Sequence, residues 1–128
     1  MKKIGFTGTQ RGMSPNQRHE LLLLLSNEKC EFHHGDCIGA DEEAHLIATN
    51  CGCTIYVHPP ENSSKRAFCK AQHIRELKPY LKRNQDIIDE TDFIIAAPKS
   101  EKYERRSGTW WTIKHANKIG KKVIILKR

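Results

Sequence analysis

The chain has no long apolar run. Its longest, from Leu21 to Leu25, falls far short of the ~20 residues that cross a bilayer, so no membrane-spanning segment is expected. The opening residues, Met1-Lys2-Lys3-Ile4-Gly5, pass straight into a strand pattern without the apolar stretch of a secretory signal. The expected location is therefore cytoplasmic. CxxC pairs are missing too. Cys30, Cys37, Cys51, Cys53 and Cys69 are an odd set of five, and Cys51-Gly52-Cys53 has one intervening residue, unlike zinc knuckles or redox motifs. Free thiols in a reducing compartment are the expected state. Repeats, low-complexity tracts and linkers are absent, so 128 residues read as one domain, 1–128. A chain of this size hides roughly two-thirds of its unfolded surface and needs no covalent staples.

Acid is the scarcer charge. Lysine and arginine number 22 against 15 acids, for a formal charge of +7. A polyanionic partner is implied, without separating a nucleotide from a nucleic acid. Between residues 62 and 83 the chain carries Lys65, Arg66, Lys70, Arg75, Lys78, Lys82 and Arg83 against Glu76 alone. Aromatics are thin in that stretch, only Phe68 and Tyr80. A single-strand nucleic-acid groove interleaves more of them with its cations. A second basic cluster, Lys118, Lys121, Lys122, Lys127 and Arg128, reads as a solvated edge.

What is present is a pattern of polar, glycine-bearing turns. One is His33-His34-Gly35-Asp36-Cys37-Ile38-Gly39-Ala40-Asp41; the others are Thr7-Gly8-Thr9-Gln10-Arg11-Gly12 and Arg106-Ser107-Gly108-Thr109. Each follows an apolar strand pattern and precedes a helical one. Backbone amides at such corners point outward unpaired, and glycine lets a ligand approach them. Strands are expected at 3–7, 30–34, 54–58, 92–97 and 122–126. Helices are expected from Ser14 to about Asn27, Gly39 to Asn50, Pro79 onward with Leu81, Ile87 and Ile88 inward, and Ser107 to Ile119. Ser14 and Gln17 form a capping box with Pro15 in the first turn. The weakest pattern is the basic connector, with some helical character expected over 65–77. Strands alternating with helices give an α/β domain with a parallel sheet and helices on both faces. Five strands wind most simply in the order 3-2-1-4-5, and ligands bind where the winding reverses, beyond the carboxyl ends of the strands.

The motifs also resemble a known group. Gly-x-Thr-Gly-x-x-Arg after strand one, His-Gly-Asp-x-x-Gly-Ala-Asp after strand two, Arg-Asn before strand four and Gly-Thr opening the next helix are similar to the SLOG superfamily. That is the Rossmann-like group of DprA/SMF and the LOG cytokinin-activating enzymes, and the likeness is nearest to its YspA/YpsA-related branch. The matching positions are Gly5, Thr7, Gly8, Arg11, His34, Gly35, Asp36, Gly39, Ala40, Asp41, Arg83, Asn84, Gly108 and Thr109. The resemblance implies a Rossmann-like domain that binds a nucleotide or an ADP-ribose-like derivative. It leaves open whether the ligand is cleaved. LOG enzymes carry a glutamate three residues after the threonine of their Gly-Thr turn; here that position is Thr112.

The residues expected to grip the ligand are Thr7, Gly8, Thr9, Arg11, Gly35, Asp36, Gly39, Arg83, Asn84, Ser107, Gly108 and Thr109. Arg11 offers a bidentate clamp for a phosphate. Ser107-Gly108-Thr109 supplies a helix N-terminus, read either as an anion site or as simple capping by Ser107. Asp36 is read either as a ligand for ribose hydroxyls or as a turn-forming residue. Lys65, Arg66 or Arg83 could reach a phosphate as a lid. Of Trp110 and Trp111, one is expected in the core and the other outside, with Tyr103 a further stacking surface. The first functional reading is a nucleotide-binding module. The alternative is hydrolysis of the N-glycosidic bond of a nucleoside 5′-monophosphate, with Asp36 or Asp41 as the catalytic carboxylate; a further alternative is single-stranded nucleic-acid binding. No resident cofactor is expected. Asp41, His45 and His34 suggest a metal site, but no third ligand has convincing spacing, so none is expected. A homo-oligomer is plausible from the helices that flank a small parallel sheet.

Overall fold

The structure, a computed structural model, describes residues 1–26 and 29–128. A single sheet runs through the domain. Its strands are β1 (Lys2–Gly8), β2 (Cys30–His34), β3 (Thr54–Val57), β4 (His73–Ile74), β5 (Phe93–Ala97) and β6 (Val123–Ile125). Their order is β4-β3-β2-β1-β5-β6, and every pair is parallel. The expected five-stranded winding is present intact, with the reversal between β1 and β5. The correction is the sixth strand. His73 and Ile74 pair with Tyr56 and Val57 at the outer edge of β3. They fall in the segment for which helical character was expected, where the structure has only a turn of 3₁₀ helix, Ser63–Lys65. Residues there that would have to form an apolar stripe, Phe68, Ile74 and Leu77, are exposed, so nothing supports a helix.

Alternation along the strands sorts the core into two layers. Ile4, Phe6, Phe32, Ile55 and Val57 point toward helices α1 (Pro15–Leu25) and α2 (Ala40–Asn50). Ile94 packs with Ile87, Ile88 and Ala116 on the other face, under α3 (Tyr80–Glu90) and α4 (Gly108–Lys118). Each fully buried Ile or Phe contributes roughly 1.5–3 kcal/mol. β5 is enclosed on both sides, as its unbroken apolar run implies. No helix among the described residues is long and apolar enough to cross a membrane.

Helix α1 starts as expected, with Ser14 and Gln17 closing a reciprocal capping box. Gln17 is itself buried and donates to the carbonyls of Pro98 and Leu126, tying the helix start to two later segments. The expected helix end at Asn27 lies outside the described residues. Leu21 and Leu25 face inward, whereas Leu22, Leu23 and Leu24 are exposed, so the leucine run is one-sided. In α3 the inner positions are Arg83, Asn84, Ile87 and Ile88. Ile87 and Ile88 are where they were expected, but Leu81 is about half exposed. The inner stripe is apolar over the sheet and turns polar at the helix start, where it overlies the turns at the strand ends.

Candidate functional site

A cleft of about 460 Å³ opens beyond the carboxyl ends of β1 and β5. Gly8, Thr9, Gln10 and Arg11 form one wall; Lys99, Glu104 and Arg106, from the 98–106 connector, form another; Ser107, Gly108 and Thr109 close the floor, with Tyr80 at the side. The two turns are tied directly: the Thr9 amide donates to the Ala97 carbonyl at 3.0 Å. Thr9 also holds its own turn, its hydroxyl accepting from the Arg11 amide at 3.1 Å. Ser107 is the N-cap of α4, its side chain accepting from the Trp110 amide at 3.1 Å. Gly108 and Thr109 then present the first amides of the helix, which have no carbonyl ahead of them to bond. Arg11, Lys99 and Arg106 are exposed around this floor. Together they make an electropositive recess with directed N–H donors, the chemistry that receives an oxyanion.

Gly108 is required for a reason other than ligand approach. A Cβ there would lie 2.7 Å from the Tyr80 ring. Tyr80 in turn covers the Arg83 guanidinium at 4.7 Å, and its far side borders a smaller hollow of about 210 Å³ lined by Pro60, Glu61, Asn62, Lys65 and Pro79. Glu104 is the carboxylate of the cleft lining. Its Oε2 pairs with Lys99 at 3.3 Å, while its Oε1 is buried without a hydrogen-bond partner. Gln10, Tyr80, Lys99 and Glu104 were not singled out as cleft residues by the sequence. The 98–106 connector is charged and free of glycine, but the sequence does not tell which of its side chains line the cleft.

Six expected ligand residues stand elsewhere. The 33–41 turn is a buried polar scaffold. Asp36 is fully buried with φ 58°; Arg66 Nε donates to its carboxylate at 2.7 Å and the Cys69 amide at 2.9 Å. The connector folds over it, with Ala67 donating to the Asp36 carbonyl and Ile38 to that of Lys65. Arg66 is thereby committed to Asp36, while Lys65 borders the smaller hollow. Gly35 is packed under Arg83: a Cβ would lie 2.6 Å from its guanidinium, which donates to the Gly35 and His58 carbonyls. Arg83 and Asn84 are buried and bonded to each other. Gly39, at φ 89°, lies against the Gln10 backbone and precedes α2. Thr7, opposite Ala96 in the sheet, lies just short of the cleft wall.

Asp41, in the first turn of α2, is buried; its Oδ2 accepts from the Cys37 amide at 3.2 Å and its Oδ1 has no partner. Burial pushes its carboxyl up to about 6, against the pull of Arg83. Burial likewise raises the Cys37 thiol to about 11, and burial with the Asp36 carboxylate raises Cys69 to about 12, so neither thiol is a nucleophile at neutral pH. No disulfide joins any of the five cysteines among the described residues, and Cys30 Sγ lies against Cys53 Sγ at 2.7 Å. Trp110 is the core tryptophan, edge-on to Tyr103, and the half-buried Trp111 stacks on His115. Thr112 is buried and donates to the Gly108 carbonyl.

Histidines also meet, one pair of them, His34 and His45, already named together from the sequence. His34, His45 and Cys69 converge on one point, and His33, His58 and Glu90 on another.

Fold and cleft together define a Rossmann-like α/β domain with an open cleft at its topological switch point. The same fold is found in the molybdenum cofactor binding protein of Rippkaea orientalis (TM-score 0.76, 20% identity over 97% of this chain and 75% of that one). The Moco carrier protein of Chlamydomonas reinhardtii is comparably similar (TM-score 0.73, 20% identity, 98% and 75% covered). DprA of Streptococcus pneumoniae matches with a TM-score of 0.71 and 19% identity over 98% of this chain and 50% of that one. The fold likeness expected from the SLOG-type motifs is thus borne out. No protein-family model matches the sequence, and no curated protein does.

Proposed function

We propose that the domain binds a phosphorylated small molecule, a nucleotide or nucleotide derivative, with its phosphate on the Gly108–Thr109 amides and its charge met by Arg11, Lys99 and Arg106. The observation that carries this reading is the convergence of a helix N-terminus and three exposed cations on one cleft of about 460 Å³, within the usual size of small-molecule sites. The partly exposed carboxylate of Glu104 in the cleft lining supplies the acceptor for a sugar hydroxyl or a base N–H. A base reaching past Tyr80 meets the walls of the Pro60–Pro79 hollow. Calorimetry against mononucleotides, ADP-ribose and cyclic nucleotides tests the reading. Saturable binding of a phosphorylated compound, absent for the bare nucleoside, is expected; folded protein that stays silent across the panel contradicts it. Because two fold neighbours are described as binding or carrying the molybdenum cofactor, that cofactor belongs in the same panel.

Cleavage of an N-glycosidic bond is the weaker reading. Its two nominated acids, Asp36 and Asp41, are outside the cleft lining, and Thr112 offers no carboxylate. Chromatography for free base after incubation with nucleoside monophosphates decides it. Single-strand binding rests on the exposed Phe68 under Arg66 and the cations around it; a mobility shift that fades steeply with salt would support it. The exposed Leu22, Leu23 and Leu46 on α1 and α2 are the surface on which a second copy would pack, and sedimentation reads the oligomeric state.

A further inference from the structure

We propose that His33, His58 and Glu90 form a binding site for one divalent transition-metal ion of the zinc class, separate from the cleft. His33 ends in Nδ1 facing His58 Nε2 at 2.9 Å, and both rings are 2% exposed. A Glu90 carboxylate oxygen lies within 4.8 Å of the ligand nitrogens of both. Two imidazoles and a carboxylate are a donor set for zinc and its neighbours, with a fourth position left for water. That position opens on the Glu90 side, where the side chain is 34% exposed.

The hydrogen bonds behind the ligands decide between this cluster and the other. His33 Nε2 meets a Glu31 carboxylate oxygen at 3.3 Å. A carboxylate only accepts, so in neutral His33 the proton sits on Nε2 and the Nδ1 lone pair points into the cluster. That carboxylate–imidazole pairing is the usual outer shell of a metal-bound histidine. Glu90 is likewise braced, its Oε1 held by Arg75 at 2.7 Å, leaving Oε2 for a metal. At the other cluster His34 Nδ1 accepts from the Asp36 amide at 3.0 Å. A backbone amide cannot reverse its role, so the His34 proton must sit on Nε2, the atom that faces His45. His34 therefore has no lone pair to offer there.

Metal entry needs two small changes. His58 takes the ion as the tautomer with its proton on Nδ1. Two nitrogens on a tetrahedral zinc at about 2.0–2.1 Å stand about 3.3 Å apart, so the 2.9 Å pair opens by a few tenths of an ångström. The bound ion would join β2, the end of β3 and α3. His58 also offers its carbonyl to Arg83, so the ion would stiffen the mount on which Tyr80 rests.

The test uses the full chain stripped with a chelator and titrated with Co²⁺, then with Zn²⁺ in competition with a chromophoric chelator. One equivalent is expected to bind, with the intense visible absorption of four- or five-coordinate cobalt. Glu90→Gln is expected to weaken binding at least tenfold and His58→Asn to abolish it, while His45→Asn leaves it unchanged. Circular dichroism checks the fold of each, and the more exposed Glu90 variant carries the test if His58→Asn does not fold. No cobalt absorption in the unaltered chain overturns the proposal. So does binding that survives Glu90→Gln but is lost with His45→Asn or Cys69→Ser.

Discussion

Two turns of this domain read alike and fold differently. Both follow a parallel strand, both carry glycine and both lead to a helix. The turn after β1 keeps its side chains at the surface: Gln10 and Arg11 are exposed on the cleft. The turn after β2 is buried throughout most of its length, with Asp36 and His34 fully enclosed. The difference comes from what lies on top. The basic connector is zipped onto residues 36–38 by the Cys37–Arg66 bridge, whereas Gln10 and Arg11 of the first turn stay exposed. A glycine-bearing polar corner can offer its groups to a ligand only where the chain leaves it uncovered; elsewhere the same residue types hold the loops together.

Substitutions should separate the two turns cleanly. Asp36→Ala strips the buried partner from Arg66 and from the Cys69 amide, and a loss of about 3–5 kcal/mol is expected in urea unfolding. A loss under about 1 kcal/mol would mean the connector does not depend on this ion pair. Gly35→Ala pushes a methyl into the Arg83 guanidinium and should cost about 1–3 kcal/mol by the same measurement. Asp41 sets a pH dependence. Its folded carboxyl titrates near 6 against an ordinary 3.8, so between those values the native chain holds a proton that the unfolded chain releases. Stability therefore falls as pH rises through that window, by on the order of 2 kcal/mol. Asp41→Asn should flatten the slope in thermal melts across it; an unaltered slope would assign the effect to another group. The smallest effect belongs to the cleft. Arg106→Ala should leave the melting temperature in place and weaken binding of a nucleoside monophosphate about tenfold, or ~1.4 kcal/mol. Equal loss of stability would erase the contrast between the turns.

Much of the fold was legible because local and global signals agree. The Ser14–Gln17 box, the Ser107 cap and the apolar runs of β1 and β5 each announce their element within a few residues. β4 was not legible, since two residues carry no period and are strand only because Tyr56 and Val57 offer an edge. Of the residues expected to grip a ligand, Gly8, Thr9, Arg11, Ser107, Gly108 and Thr109 line the cleft, and they were legible as polar, glycine-bearing turns that follow strands. Which of its two readings Asp36 follows was not legible, because its partner Arg66 is 30 positions away in a segment without periodicity. The His33–His58 pair was hidden for the same reason, as the two are 25 residues apart and meet only through strand pairing.

The central claim concerns where a phosphate would sit, and a crystal structure of the domain with adenosine 5′-monophosphate measures that directly. Phosphate oxygens within hydrogen-bond distance of the Gly108 and Thr109 amides, with Arg106 or Arg11 alongside, are the expected result. A phosphate seated instead on the basic connector near Lys65 and Lys70, with the cleft filled only by water, would contradict it.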